Sequence, residues 1–107
     1  MAFELERPWT LSPQVSLRPE RFGALAYHFG TRRLSFLKSP RLLRVVETLA
    51  DEPSALAACR RAGVPETEMA EYTRALATLA DTGMIRARTA EIAAGAEIAA
   101  GGVGARP

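Results

Sequence analysis

Apolar and polar side chains alternate over Val15-Ser16-Leu17-Arg18, between Pro13 and Pro19. That period predicts a short strand with Val15 and Leu17 facing inward. In the next run, Phe22 to Phe29, Leu25, Tyr27 and Phe29 share one face while Ala24, Ala26 and His28 share the other. Gly30-Thr31 marks a turn, because glycine supplies a positive φ without steric cost. In Arg33–Leu37, Leu34 and Phe36 fall on one face, with Arg33, Ser35 and Leu37 on the other. The Leu34/Phe36 face is the one expected to look into the core. The links are short, which favours antiparallel neighbours and predicts a three-stranded meander.

The period then changes. Ser39-Pro40 supplies an N-cap followed by proline at the first helical position. Leu42, Val45, Val46 and Leu49 repeat as a single helical stripe that ends at Asp51-Glu52-Pro53. Ser54 caps a second helix, Ala55 to Ala62, stopped by Gly63. Pro65-Glu66 opens a third, with Met69, Tyr72, Leu76 and Leu79 as its seam and Gly83 as its stop. The short link between the second and third helices suits a helix-turn-helix pair. The fold class expected is α+β: a three-stranded antiparallel sheet followed by three helices.

Three segments follow from these patterns: a flexible arm over 1–8, with Trp9 anchoring it, a domain over 9–86, and a low-complexity Ala/Gly-rich tail over 87–107. The tail carries AEIAAG twice in tandem and then GGVGARP. It has too little apolar bulk for a core.

Composition narrows the chemistry. The 107 residues are 48% apolar and 24% charged, a globular profile with enough chain for a core of its own. The opening MAFELERPW lacks the basic and apolar regions of a signal peptide, and no apolar run reaches membrane-spanning length. A cytoplasmic location is expected. One histidine and one cysteine, His28 and Cys59, exclude a multi-histidine metal site, a cysteine-held cluster and an internal disulfide within one chain. Cys59 reads as a small buried helix residue and His28 as a satisfied strand residue. Phosphate-binding glycine loops are absent. No catalytic site, metal or cofactor is expected.

The net charge of +2 hides a polarity. Residues 18–44 hold Arg18, Arg21, Arg32, Arg33, Lys38, Arg41 and Arg44 against Glu20 alone. The second and third helices are acidic. A DNA-binding regulator would place the start of its third helix in the major groove, yet that start carries Glu66, Glu68 and Glu71. Nucleic acid is therefore a poor partner.

The strand Arg33–Leu37 lies at the edge of the meander with no glycine or proline to blunt it. Two readings stand. Its flanking charges protect a plain structural edge, or an extended peptide adds there as a fourth strand, with nearby cations favouring an acidic peptide.

The words "LSPQVSLRPE", "FGALAYHF" and "RRLSFLKS" within residues 9–39 resemble the mycofactocin precursor-peptide chaperones. These belong to the peptide-recognition elements typified by the pyrroloquinoline-quinone peptide chaperone. The resemblance reaches about residue 85. It implies a winged helix-turn-helix-like fold and no catalysis. It also implies binding of a precursor peptide's leader and its presentation to a radical S-adenosylmethionine maturase, which holds the iron–sulfur clusters itself. Carried onto this chain, Arg33, Leu34, Ser35, Phe36 and Leu37 supply backbone pairing. Tyr72, Ala75, Leu76 and Leu79 wall the cleft, positions taken from helical spacing. A proline at Ser35 would remove one backbone donor, and binding would fall sharply if that N–H faces the peptide.

Overall fold

A computed structural model describes residues 3–88. A short strand, β1 (Trp9–Leu11), precedes the meander of β2 (Val15–Glu20), β3 (Gly23–His28) and β4 (Leu34–Leu37), which pair antiparallel in that order. Helices α1 (Pro40–Thr48), α2 (Ala55–Arg61) and α3 (Met69–Asp81) follow, and the described chain ends with β5 (Ile85–Ala87). The expected α+β order is present. β5 pairs with β1 as a second, two-stranded sheet, Trp9 opposite Ala87 and Leu11 opposite Ile85.

Local chemistry accounts for the helix starts. The Ser39 side chain accepts from the Leu42 N–H at 3.0 Å, and Ser54 accepts from Ala57 at 3.0 Å. Each satisfies a backbone donor that the first helical turn leaves without a partner. Pro65 and Glu66 do not open an α-helix directly. Glu66–Glu68 forms a 3-10 turn, and α3 begins at Met69.

The core lies between the helices and one face of the meander. That face carries Ala24, Ala26, His28 and Leu37, while Leu34 and Phe36 are about 60% exposed on the opposite face. Leu34 and Phe36 share one face, as the alternation predicts, but that face is the outer one and not the core face expected for it. Ala24 and Ala26, small and fully buried, let α1 lie close against β3, where Val45 and Val46 fill the space. Larger side chains on that face would push the helix away.

The segment ahead of β1, expected as a flexible arm, instead lies on the domain from Phe3 onward. Phe3 and Leu5 pack on the core, the Phe3 and Trp9 rings are 4.8 Å apart, and the Trp9 indole donates to the Glu4 carbonyl at 2.9 Å. At the far end, Arg88 donates to the Ala50 carbonyl at 2.9 Å and to that of Glu52. Ala87 and Arg88 therefore belong to the domain, and the rest of the expected tail lies outside the described residues.

Two turns set β4 in place. At the β2–β3 turn, Gly23 has φ +150°, and a Cβ there would overlap the Leu37 carbonyl oxygen and meet the Ser39 backbone within 2.9 Å. At the β3–β4 turn, His28 Nδ1 accepts from the N–H groups of both Gly30 and Thr31 at 3.0 Å. The left-handed residue of this turn is Arg32, φ 61°, rather than Gly30. Gly30 sits close to its neighbours instead: a Cβ would stand 2.5 Å from the Gln14 side-chain oxygen and 2.9 Å from the His28 ring, so Gln14 would have to move aside.

Cys59 is fully buried, and burial pushes its thiol up from 9.0 to about 11. A raised pKa in the folded state means the group's contribution to stability is full below about 9 and is lost as pH rises toward about 11. At pH 8 the native protein should resist iodoacetamide and react readily once unfolded in urea, as mass spectrometry would record. Gly23→Ala should cost about 3 kcal/mol or more and lower the melting temperature by roughly 10 °C or more in a calorimetric scan.

Candidate functional site: an open strand edge beside a groove

The phase of the β3–β4 ladder decides which backbone groups are left over. The His28 N–H donates to the Arg33 carbonyl at 2.9 Å. The same register sets Ser35 opposite Ala26 and Leu37 opposite Ala24. Hydrogen-bonded and non-hydrogen-bonded pairs alternate along an antiparallel ladder. Ser35 and Leu37 thus spend their backbone groups on β3, Arg33 gives β3 its carbonyl while its N–H donates to the Thr31 hydroxyl at 3.4 Å, and Leu34 and Phe36 aim theirs at the open edge. A proline at Ser35 would break the ladder and leave the outward donors intact.

The opposite edge, on β2, is blunted. The Phe29 N–H donates to the Gln14 carbonyl at 2.8 Å, which sets the outward positions of β2 at Val15, Leu17 and Pro19. The Val15 N–H is already bound to the Ser12 carbonyl at 3.0 Å, and Pro19 has no N–H. Of those three positions only Leu17 offers an outward donor.

Alongside β4 and α3 runs a groove of about 570 Å³. Ser35 and Phe36 line its strand side, Tyr72, Ala75 and Leu79 its helix side, and Leu42 of α1 contributes as well. Its geometry is tied by a 3.3 Å hydrogen bond between the Tyr72 and Ser39 hydroxyls, which links α3 to the cap of α1. Five of the nine residues expected at the site therefore meet there. The other four lie elsewhere: Leu37 and Leu76 are 1% and 0% exposed in the core, Leu34 lies on the outer sheet face, and Arg33 is exposed at the hairpin end.

Leu76 was misplaced because the apolar seam of α3 is its core face. The groove takes the adjacent stripe, Glu68, Glu71, Tyr72, Ala75, Thr78 and Leu79. Its spacing of three and four is a helical face that mixes polar with apolar residues, so a search for apolar periodicity passes over it.

Charge divides the groove. Lys38 stands at the end of β4, while Glu68 and Glu71 stand on the helix side, with Glu68 3.7 Å from Arg41. The basic segment around the strands thus faces an acidic wall, and the groove is not a cationic channel for an acidic peptide. His28 and Cys59 do not line it. Among the described residues no cluster of three His, Cys, Asp or Glu side chains is arranged to hold a metal, and no helix is long and apolar enough to cross a membrane.

Residues 8–86 match the Peptide chaperone MftB family. Among curated proteins, the chain is 55% identical to the peptide chaperone MftB of Mycobacterium ulcerans over 84 residues, covering 78% of this chain and 77% of that protein. It is 54% identical to the protein of the same name from Mycobacterium tuberculosis, covering 78% of this chain and 76% of the relative. Against that of Mycolicibacterium smegmatis identity is 47%, over 79% of this chain and 83% of the relative. No solved structure matches.

Proposed function

The chain belongs to the MftB peptide chaperone family, and from that premise we propose that it captures the leader of the mycofactocin precursor peptide as a strand added to β4 and presents that peptide to a radical S-adenosylmethionine maturase. The role is a chaperone's and not a catalyst's. In this reading the meander and the α2–α3 pair form a winged helix-turn-helix-like recognition domain working in the cytoplasm.

One observation carries the reading: the outward backbone groups of Leu34 and Phe36 stand beside an open groove while the opposite edge is blunted. An extended peptide satisfies those groups, and its alternate side chains enter the groove. Backbone pairing supplies affinity with little sequence preference. Selection then falls to Tyr72, Ala75 and Leu79, which offer an apolar floor, and to Lys38 and Glu71, which offer opposite charges. Phe36 and Leu34 serve through their backbones, and Leu37 and Leu76 hold strand and helix in the core behind them. The alternative of a DNA-binding regulator meets an acidic turn, Glu66–Glu68, at the head of α3, where a polyanion would have to approach.

Titration calorimetry with the full precursor peptide and with a leader-deleted peptide tests the reading. Heat is expected from the first and none from the second. Phe36→Pro removes an outward N–H at an edge position, where proline is tolerated. It should weaken leader binding at least tenfold, with Phe36→Ala as the control for the side chain. Ser35→Pro should chiefly lower the melting temperature. Equal binding of both peptides, or full affinity in a folded Phe36→Pro variant, would place the site elsewhere.

A further inference from the structure

The meander has a second surface that peptide capture does not use. Its outer face, turned away from the helices, carries Phe22, Leu25, Tyr27, Phe29, Leu34 and Phe36. Phe22, Phe29, Leu34 and Phe36 are 45–60% exposed. The rings are already ordered among themselves: Phe22 meets Phe36 edge-on at 6.0 Å, and Tyr27 meets Phe29 edge-on at 5.3 Å. Leu25, Tyr27 and Phe29 of β3 and Leu34 and Phe36 of β4 form one apolar strip with Phe22 at its end, bordered on the β2 side by the outward Ser16, Arg18 and Glu20. Exposed large apolar side chains gathered in one place and rimmed by polar residues mark an interaction site.

A cation stands at each end of this patch: Arg21 at the β2–β3 turn and Arg32 at the β3–β4 turn. Neither makes an ion pair among the described residues. Arg18, on the same face, is 2.8 Å from Glu20. We infer that this outer face docks a partner protein whose surface is apolar at its centre and acidic at its rim, and, resting on the reading above, that this partner is the maturase. Aromatic side chains with arginine at the border are the composition of protein–protein hot spots. A second copy of this chain is disfavoured, since two-fold pairing of the face would set cation rim against cation rim.

The face and the edge share residues without competing. Leu34 and Phe36 offer the peptide their backbone groups in the plane of the sheet, and their side chains stand perpendicular to it. A leader strand added to β4 would extend the outer face by one strand, its own alternate side chains lying beside Leu34 and Phe36. A partner docked there touches chaperone and peptide at once. By linkage, bound peptide raises the partner's affinity, and bound partner raises the peptide's by the same factor.

Surface plasmon resonance of the full chain against purified maturase, with and without precursor peptide, tests this. The variant pair Phe22→Ser/Phe29→Ser alters the face away from the edge strand. It should keep leader affinity within about twofold in calorimetry and lose at least tenfold in maturase affinity. Arg21→Glu/Arg32→Glu, less demanding of the fold, should slow association and flatten its salt dependence. Maturase binding retained by both folded variants overturns the docking assignment and leaves peptide capture standing. So does a wild-type dimer, or binding to anionic phosphatidylglycerol vesicles, that the serine variants abolish while maturase binding persists. A wild-type chain that binds the leader but never the maturase overturns the presenting role and the docking assignment together.

Discussion

The two-residue period of β4 governs the rest of this molecule's chemistry. Four residues divide it: Ser35 and Leu37 pair with β3 and look inward, while Leu34 and Phe36 look outward with their backbones unspent. A slip of one residue would exchange every one of these assignments. The register is therefore held at both ends. Gly23 lets the backbone of Leu37 and Ser39 approach more closely than any side chain would allow, and the His28 ring gathers the N–H groups of the other turn. Neither residue touches the groove, yet the site depends on both.

Edge asymmetry turns an exposed sheet into a selective one. A meander has two open sides and would pair indiscriminately on both. Here β2 is blunted by Pro19 and by the Ser12 carbonyl, which leave only the Leu17 donor outward. On the β4 side, α3 stands at groove distance, joined to the cap of α1 by the Tyr72–Ser39 hydrogen bond, and leaves the edge uncovered. On the proposed reading, a visiting strand must fit a channel as well as a ladder, which would separate recognition from aggregation.

Sequence patterning made some of this legible. Strand alternation, the two serine caps and the stripe of α1 have short-range causes, so the meander and helices could be read directly. The direction of the faces could not. Leu34 and Phe36 are the larger apolar pair, but the core side is set by alanines on β3 that admit α1, a tertiary condition. β5 is three residues long, and its pairing with β1 spans nearly the whole domain, beyond any local signal. On α3, core seam and groove stripe overlap at Tyr72 and Leu79, so spacing found those two and also brought in Leu76. The resemblance pointed to the edge, and the ladder phase then named which of its residues are free.

The pairing of β1 with β5 has a topological consequence. Chain entry and chain exit lie side by side, Trp9 against Ala87, in a sheet separate from the meander. Arg88 clamps that exit to the loop after α1. A domain whose first and last strands pair with each other is tied shut at one place. It can be spliced into a longer polypeptide, or carried on a tether, without altering the order of the strands that bear its open edge. Such a module is portable: its open edge travels intact with the paired strands that close it.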